Sequence, residues 1–156
     1  MSNDENLKIR YKKLAEVKEF IERNVDEILF VAGGIQNDDI KQMENDLGVV
    51  FPVDYKIFLK EYGGCSVLGV TIFGVTAMPY PSIVDITKEY RQYGLPNRYI
   101  VYENCDEYVN CIDADSSSEK FGETISWSYV DKKVHYYGRK IFESFILELS
   151  DAEENL

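Results

Sequence analysis

The stretch IKQMENDLGVVFPVDYKIFLKEYGGCSVLGVTIFGV, residues 40–75, decides how the rest of the chain folds. Its first part predicts a helix, because four side chains recur at three- and four-residue spacing and so share one face. These side chains are Ile40, Met43, Glu44 and Leu47. Gly48 should end this helix, since glycine accepts the left-handed conformation of a helix C-terminus. Pro52 suits the first position of a second helix, where no N–H group is needed.

The second part of the stretch predicts an aromatic helix followed by a strand. The apolar stripe of this helix, at i, i+3, i+4 and i+7, comprises Tyr55, Phe58, Leu59 and Tyr62. The pair Gly63-Gly64 should end the helix. Residues 69–74, GVTIFG, then indicate a short buried strand bounded by glycines.

The order of these features resembles the SUKH superfamily, which includes the Smi/Knr cell-wall regulators of yeast. The residues that carry the resemblance are Ile40, Glu44, Leu47, Gly48, Pro52, Asp54, Tyr55, Phe58, Leu59, Tyr62, Gly63, Gly64 and Gly74. Within the superfamily, the chain is similar to bacterial immunity proteins of the YobK type. The similarity is strongest over residues 35–149 and implies an α+β fold and a structural role for the motif residues.

Outside residues 40–75, helical and strand patterns alternate. A long amphipathic helix is expected over residues 5–31, with an apolar stripe formed by Leu14, Val17, Ile21, Val25 and Ile28. Two further helices are expected, over residues 83–94 and 142–149. Strands are expected over residues 98–103, 107–113, 123–130 and 134–137. The tail, residues 151–156, should be frayed.

Two of these strands carry a clear burial pattern. Residues 98–103, RYIVYE, are nearly all apolar, which favours a central position in the sheet. Residues 123–130, ETISWSYV, alternate apolar and polar side chains, which favours a half-buried antiparallel strand. The order of elements predicts one α+β domain over residues 1–156, with a mostly antiparallel sheet and about four helices.

The composition of the chain excludes some classes of function. The chain has 156 residues, 45% of them hydrophobic and 13% aromatic, and a formal net charge of −11. Direct binding to nucleic acid is not expected, because phosphate contacts need a basic stripe. A basic protein is the natural electrostatic partner, and the alternative is that the acidity only keeps the protein in solution. No apolar run is long enough for a membrane span. Three cysteines without metal-binding spacing suggest a cytoplasmic protein with free thiols.

Catalytic and metal sites are not expected, and neither is a cofactor. Asp113 and Asp115 form a D-x-D pair that could hold Mg²⁺ or Ca²⁺, but an EF-hand loop from Asp113 would need glycine at Ser118 and glutamate at Thr124. A turn is the better interpretation. His135 is the only histidine, and no spacing brings a cysteine to it. With 28 acidic residues, a pair of carboxylates placed for hydrolysis remains an open alternative.

Glu44 lies on or beside the apolar face of its helix. A buried glutamate needs a hydrogen-bond donor, such as a tyrosine hydroxyl or a backbone N–H group. We therefore expect Glu44 to fix its helix against the next loop.

A contact surface for a partner is expected around the strand pair at residues 98–113. Acidic side chains and one tyrosine cluster there: Glu103, Asp106, Glu107, Tyr108, Asp113 and Asp115. Tyrosines supply rigid anchors, while carboxylates steer a basic partner. The opposing interpretation is a set of solvated turns.

Three functions follow from these observations. The resemblance implies a non-enzymatic immunity protein that binds and neutralises a cognate polymorphic toxin, often a nuclease. The alternative is a regulatory module that binds host proteins or peptides at a groove at the sheet edge. A third and less favoured function is that of a hydrolase with a metal at Asp113 and Asp115. The sequence does not indicate the oligomeric state.

Overall fold

Five α-helices and seven strands alternate along residues 3–156, the part of the chain that the computed structural model describes. The helices are α1 Asn3–Arg23, α2 Asn37–Leu47, α3 Val53–Glu61, α4 Ile83–Gln92 and α5 Ile141–Glu154. The strands are β1 Ile28–Val31, β2 Cys65–Val67, β3 Val70–Ile72, β4 Tyr99–Asn104, β5 Val109–Asp113, β6 Glu123–Trp127 and β7 Val134–Lys140.

The strands form two antiparallel sheets, with strand orders β1-β2-β3 and β4-β5-β6-β7. The two sheets meet where the backbone N–H of Phe73, just after β3, donates to the carbonyl oxygen of Tyr102 on β4 over 2.9 Å. The predicted α+β class with antiparallel pairing is confirmed. There are two sheets rather than one, and five helices rather than about four.

The two helices predicted in residues 40–75 form because their ends are satisfied locally. Gly48 takes the left-handed conformation, with φ 67°, and closes α2 as expected. Pro52 is the N-cap of α3, and Val53 is its first helical residue, one position later than predicted. The difference arises because the ψ of Pro52 is 155°, which is extended rather than helical.

The turn after α3 requires glycine for space as well as for conformation. A Cβ atom on Gly74 would lie 1.9 Å from the carbonyl oxygen of Gly63, and one on Gly63 would lie 2.1 Å from the carbonyl oxygen of Gly33. Real Cβ atoms do not approach a backbone oxygen so closely. Three segments of backbone therefore touch directly at this point.

The core lies between the helices and both sheets. The stripe predicted for α3 is fully buried, and Phe58 packs against Phe145 of α5 with ring centroids 6.3 Å apart. Arg10 of α1 joins three helices, because it pairs with Asp54 of α3 at 2.5 Å and with Glu143 of α5 at 2.7 Å. Helix α5 therefore contacts both α1 and α3 in the N-terminal half of the chain.

The long helix predicted over residues 5–31 is wrong at its C-terminal end. Helix α1 stops at Arg23, a 3₁₀ turn covers Val25–Glu27, and Ile28–Val31 is strand β1. Val25, which was expected in the apolar stripe, is 61% exposed. The helix does not continue through Ile28–Val31, because this segment pairs with β2 and the backbone of Val31 lies beside Cys65.

Three other predictions about the strands and the tail need correction. Strand β2 was missed, and β4 lies at an edge of its sheet rather than at the centre, where α4 packs against it. Strand β6 is more buried than predicted at one position of its polar face, since Thr124 is fully buried with its hydroxyl 2.8 Å from that of Ser144, while Ser126 is half-buried. Helix α5 continues to Glu154 through most of the tail that was expected to fray.

Candidate interaction surface

The hairpin of β4 and β5 ends in a tight acidic turn, residues 105–108, called the hairpin tip below. Asp106 has φ 66°, and its N–H donates to Oδ1 of Asn104 over 2.9 Å. Aspartate tolerates this left-handed conformation better than most residues. Asp106, Glu107 and Tyr108 are all exposed, Tyr108 by 40%. The tip therefore presents two carboxylates and a phenol ring to solvent.

A groove of about 380 Å³ runs beside the hairpin tip, where the two sheets meet. Its lining includes apolar side chains from Phe73 and Ile86, the ring of Tyr80, and the acidic residues Glu89 and Asp106. Tyr90 lies on α4, the helix that carries Glu89. Its pKa is raised first by burial, then by the charge of Glu89, and then by other neighbours that include Asp106. The groove therefore has an apolar floor and a negative rim.

An aromatic flank continues from α4 to the β6–β7 loop. The rings of Tyr93 and Tyr129 lie 6.0 Å apart and tilted by 44°, and Tyr90 packs edge-on to Tyr93 at 5.6 Å and to Trp127 at 6.4 Å. Tyr93 and Tyr129 are 47% and 45% exposed. These rings are rigid, because each rests on a buried aromatic neighbour or on one another. They could serve as anchors for a partner.

Glu103, which was predicted at the contact surface, is only 8% exposed. Its Oε1 accepts a hydrogen bond of 2.8 Å from Nδ2 of Asn110, its cross-strand partner. Tyr137 of β7 donates to Oδ1 of the same asparagine over 2.7 Å. Glu103 thus belongs to a polar network between the strands and α5.

Asp113 is fully buried and serves a structural ion pair. Its two oxygens accept from Nε and Nη2 of Arg98, at 3.2 and 2.8 Å, and Oδ2 also accepts from the hydroxyl of Tyr136. Asp115 accepts from Ser117, and these hydrogen bonds lower the pKa of Asp115. The D-x-D pair therefore forms an ordinary turn, and a metal would have to displace Arg98 from Asp113.

The six residues predicted as a contact surface are thus divided among three places. Asp106, Glu107 and Tyr108 form the hairpin tip. Glu103 and Asp113 are buried against cross-strand partners, although Glu103 also lines the groove. Asp115 lies at the opposite end of β5 from the tip, close to Arg98.

Four residues that share the surface with the tip were not identified from the sequence: Tyr80, Glu89, Tyr93 and Tyr129. They come from the loop before α4, from α4 and from the loop after β6. The only available signal was that Glu89 and Tyr93 fall outside the apolar face of α4. Their closeness to the tip depends on packing of α4 against β4, which spacing does not reveal.

Glu44 is hydrogen-bonded to the loop that follows its helix. It is buried, its Oε2 accepts from the backbone N–H of Phe51 over 2.7 Å, and Lys56 lies at 3.6 Å. The donor is thus a backbone group of the α2–α3 loop. Glu44 fixes the loop that leads into α3.

The cysteines do not form a nucleophilic site with His135. Burial raises the pKa of Cys65 to about 12, and burial followed by the charge of Glu103 raises the pKa of Cys105 to about 12. Both thiols are therefore protonated at neutral pH, whereas a thiolate is needed for attack. Within residues 3–156 no three acidic, histidine or cysteine side chains gather as metal ligands, and no helix is long and apolar enough to cross a membrane.

The α+β fold, with its glycine-packed helical framework, is that of a known protein family. The family model SUKH_5, SMI1-KNR4 cell-wall, matches residues 15–151. The chain therefore belongs to this SUKH family, and the resemblance seen in residues 40–75 is confirmed.

A solved structure shares the fold. The crystal structure of a protein from Pseudomonas syringae pv. tomato superposes with a TM-score of 0.58. The match covers 80% of this chain and 89% of that chain, at 16% sequence identity. At this identity the likeness concerns the fold.

Proposed function

We propose that this chain is an immunity protein that binds and neutralises a cognate toxin with a basic surface. The observation that carries the proposal is the hairpin tip beside the groove, where exposed carboxylates adjoin exposed tyrosines. Membership of the SUKH family supports it, since the resemblance to immunity proteins lies within that family.

The chemistry of this surface favours a basic protein. Asp106, Glu107 and Glu89 set a negative potential around the groove, in a chain with a net charge of −11. Such a potential raises the rate at which a basic partner arrives. Tyr108, with Tyr93 and Tyr129 on the aromatic flank, then supplies rigid contact area at a low entropic cost. A nuclease fits this description, because binding phosphate requires a basic surface.

A growth assay tests the proposal. The tagged chain is purified from its native cell, and a dominant basic partner is identified by mass spectrometry. Expression of that partner alone should stop growth, and co-expression with this chain should restore it. The proposal is contradicted if the partner is harmless or if co-expression leaves growth arrested.

Two variants with the same change in charge locate the effect. Asp106→Asn with Glu107→Lys alters the hairpin tip, and asparagine suits the left-handed conformation of residue 106. Asp151→Asn with Glu154→Lys makes the same change at exposed positions near the C-terminal end of α5. The tip variant should lose at least tenfold in affinity for the partner, and the α5 variant should bind like the wild type.

The groove favours one other function, a regulatory module that binds a short peptide. Its volume of about 380 Å³ and its apolar floor would suit one or two side chains of such a ligand. This function predicts several weakly bound proteins in the purified fraction. It also predicts that a peptide from one of them competes with the rest.

A further inference from the structure

Two carboxyl groups meet in the polar network behind the hairpin tip. Glu103 extends from β4, and Glu148 extends from α5 toward it, close enough for the two carboxyls to share a hydrogen bond. These two residues are called the carboxyl pair below. Helix α5 and the base of the hairpin touch through this pair.

The hydrogen bonds around the pair leave one atom without a donor. Glu103 Oε1 accepts from Asn110, whose amide is held by Tyr137. Oε2 of Glu148 is out of contact with solvent, and no group in residues 3–156 donates to it. Buried carboxylate oxygens nearly always have a donor. The carboxyl pair therefore lacks one hydrogen atom if both groups are ionised.

We propose that Glu103 and Glu148 hold a single proton between them, so that the carboxyl pair carries one negative charge at neutral pH. The proton resides on Glu148 and is donated to the carboxylate of Glu103. Its presence satisfies the buried oxygen, and it replaces repulsion between two carboxylates with a strong charge-assisted hydrogen bond.

The surroundings of Glu148 favour this state. Burial, and then its contact with Glu103, raises the pKa of Glu148 to about 9, while Arg139 acts in the opposite direction. Arg139 does not neutralise Glu148 fully, since its Nε donates to Ser144 and its guanidinium lies over the ring of Tyr137.

Besides its partner Glu103, four titratable groups in residues 3–156 face Glu148: Tyr102 of β4, Cys105 of the hairpin tip, and Tyr137 and Arg139 of β7. Burial raises the pKa of Tyr102, of Tyr137 and of Cys105, the last to about 12. A titration observed in this network between pH 7 and 10 is therefore assigned to the carboxyl pair.

The shared proton makes the interaction between α5 and the hairpin depend on pH. The pKa of Glu148 is raised on folding, so the stabilisation is fully present below the unfolded value, near 4.3, and is lost as the pH rises through about 9. Between these limits the unfolded chain has released a proton that the folded chain retains. The pair should therefore raise the unfolding equilibrium constant by up to about tenfold per pH unit in this range.

Carbon-13 NMR of the side-chain carboxyl of Glu148 tests the proposal directly. The resonance, assigned by its disappearance in Glu148→Gln, should lie at the position of a neutral acid at pH 7 and move to that of a carboxylate at alkaline pH. A Glu148 carboxyl that is already ionised at pH 7 would overturn the proposal.

Denaturation of two variants provides a second readout. Glu148→Gln keeps a donor toward Glu103 but cannot titrate, so the ratio of its unfolding constant to that of the wild type should change by about tenfold per pH unit between pH 6 and 8. Glu154→Gln, an exposed change on the same helix, should follow the wild type at every pH. A constant ratio for Glu148→Gln contradicts the shared proton even if the variant is destabilised.

The proposal is independent of what the hairpin tip binds. The growth assay is run near pH 7, where the pair keeps its proton, so a failure of the immunity function leaves the NMR result unchanged. Conversely, an ionised Glu148 would leave the tip, the groove and the growth assay as they are.

Discussion

Residues 40–75 and the hairpin tip at residues 105–108 differ in what their side chains touch. In residues 40–75, the aromatic stripe of α3 is buried, Glu44 is bonded to a backbone N–H, and glycines allow backbone to meet backbone. In the tip, Asp106, Glu107 and Tyr108 are exposed. The first region fixes the fold, whereas the side chains of the second contribute little to the packing of the core.

This difference explains why a family motif reveals fold more readily than function. A helix end or a glycine contact depends on neighbours in sequence, so it leaves a regular pattern. A binding surface requires only exposure and chemical complementarity, which many sequences supply. Substitutions in the two regions should therefore have opposite effects, with large losses of stability in the first and losses of binding in the second.

The largest expected effect is that of Gly74→Ala. A Cβ atom at this position would lie 1.9 Å from the carbonyl oxygen of Gly63, so the backbone must move. We expect a loss of about 3 kcal/mol or more in the free energy of unfolding, measured by urea denaturation. Failure to fold at 25 °C would agree with this expectation.

Gly69→Ala is the matched control for Gly74→Ala. Gly69 has φ 79° and open space around its Cβ position, so the substitution tests conformation without a clash. It should cost about 1–2 kcal/mol. Equal losses at the two positions would show that the close backbone approach at Gly74 is unimportant.

Asp113→Ala should have the next largest effect. It removes the acceptor for Arg98 and Tyr136 and leaves their donors poorly satisfied in a buried place. Arg98 is partly exposed, so we expect a loss of about 2–3 kcal/mol rather than the full penalty of a buried unpaired charge. Unchanged stability in urea, with weaker partner binding, would place Asp113 at the contact surface instead.

Glu44→Ala should cost about 1–2 kcal/mol, because the N–H of Phe51 loses its acceptor in a buried loop. Lys41→Ala, an exposed change on the same helix, should cost much less. The melting temperatures of the two variants provide the comparison. Similar melting temperatures would contradict a structural role for Glu44.

The smallest effect on stability is expected at the hairpin tip. Asp106→Asn with Glu107→Lys should change the free energy of unfolding by less than about 0.5 kcal/mol, since both side chains are exposed. The same variant should lower the association rate with the basic partner at low salt, with a smaller difference at high salt. Equal rates at all salt concentrations would exclude steering by these charges.

Local chemistry made much of the fold predictable from the sequence. The ends of α2 and α3, the aromatic stripe and the role of Glu44 follow from glycine conformation, helical spacing and the need of a buried carboxylate for a donor. Residues 25–31 were misjudged because Val25 and Ile28 continue the helical spacing of α1. The segment from Ile28 forms a strand instead, because Ile28 pairs with Val67 and Val31 pairs with Cys65, far along the chain.

The candidate surface was only partly predictable. A turn was correctly predicted at residues 104–106, because Asn104 and Asp106 are turn residues between two apolar runs, but Glu107 and Tyr108 were expected in the following strand, which begins only at Val109. The burial of Glu103 and Asp113 was not predictable, because it depends on partners across the β4–β5 pair: Asn110 for Glu103 and Arg98 for Asp113. The tyrosines of the aromatic flank come from distant segments, which only tertiary packing unites.

The most direct test of the proposed immunity function is the affinity of the purified partner for three forms of the chain, measured by calorimetry. These forms are the wild type, Asp106→Asn with Glu107→Lys, and Asp151→Asn with Glu154→Lys. We predict tight one-partner binding that falls at least tenfold in the tip variant alone and that matches the loss of growth protection. Equal affinities for all three forms would contradict a binding surface at the hairpin tip.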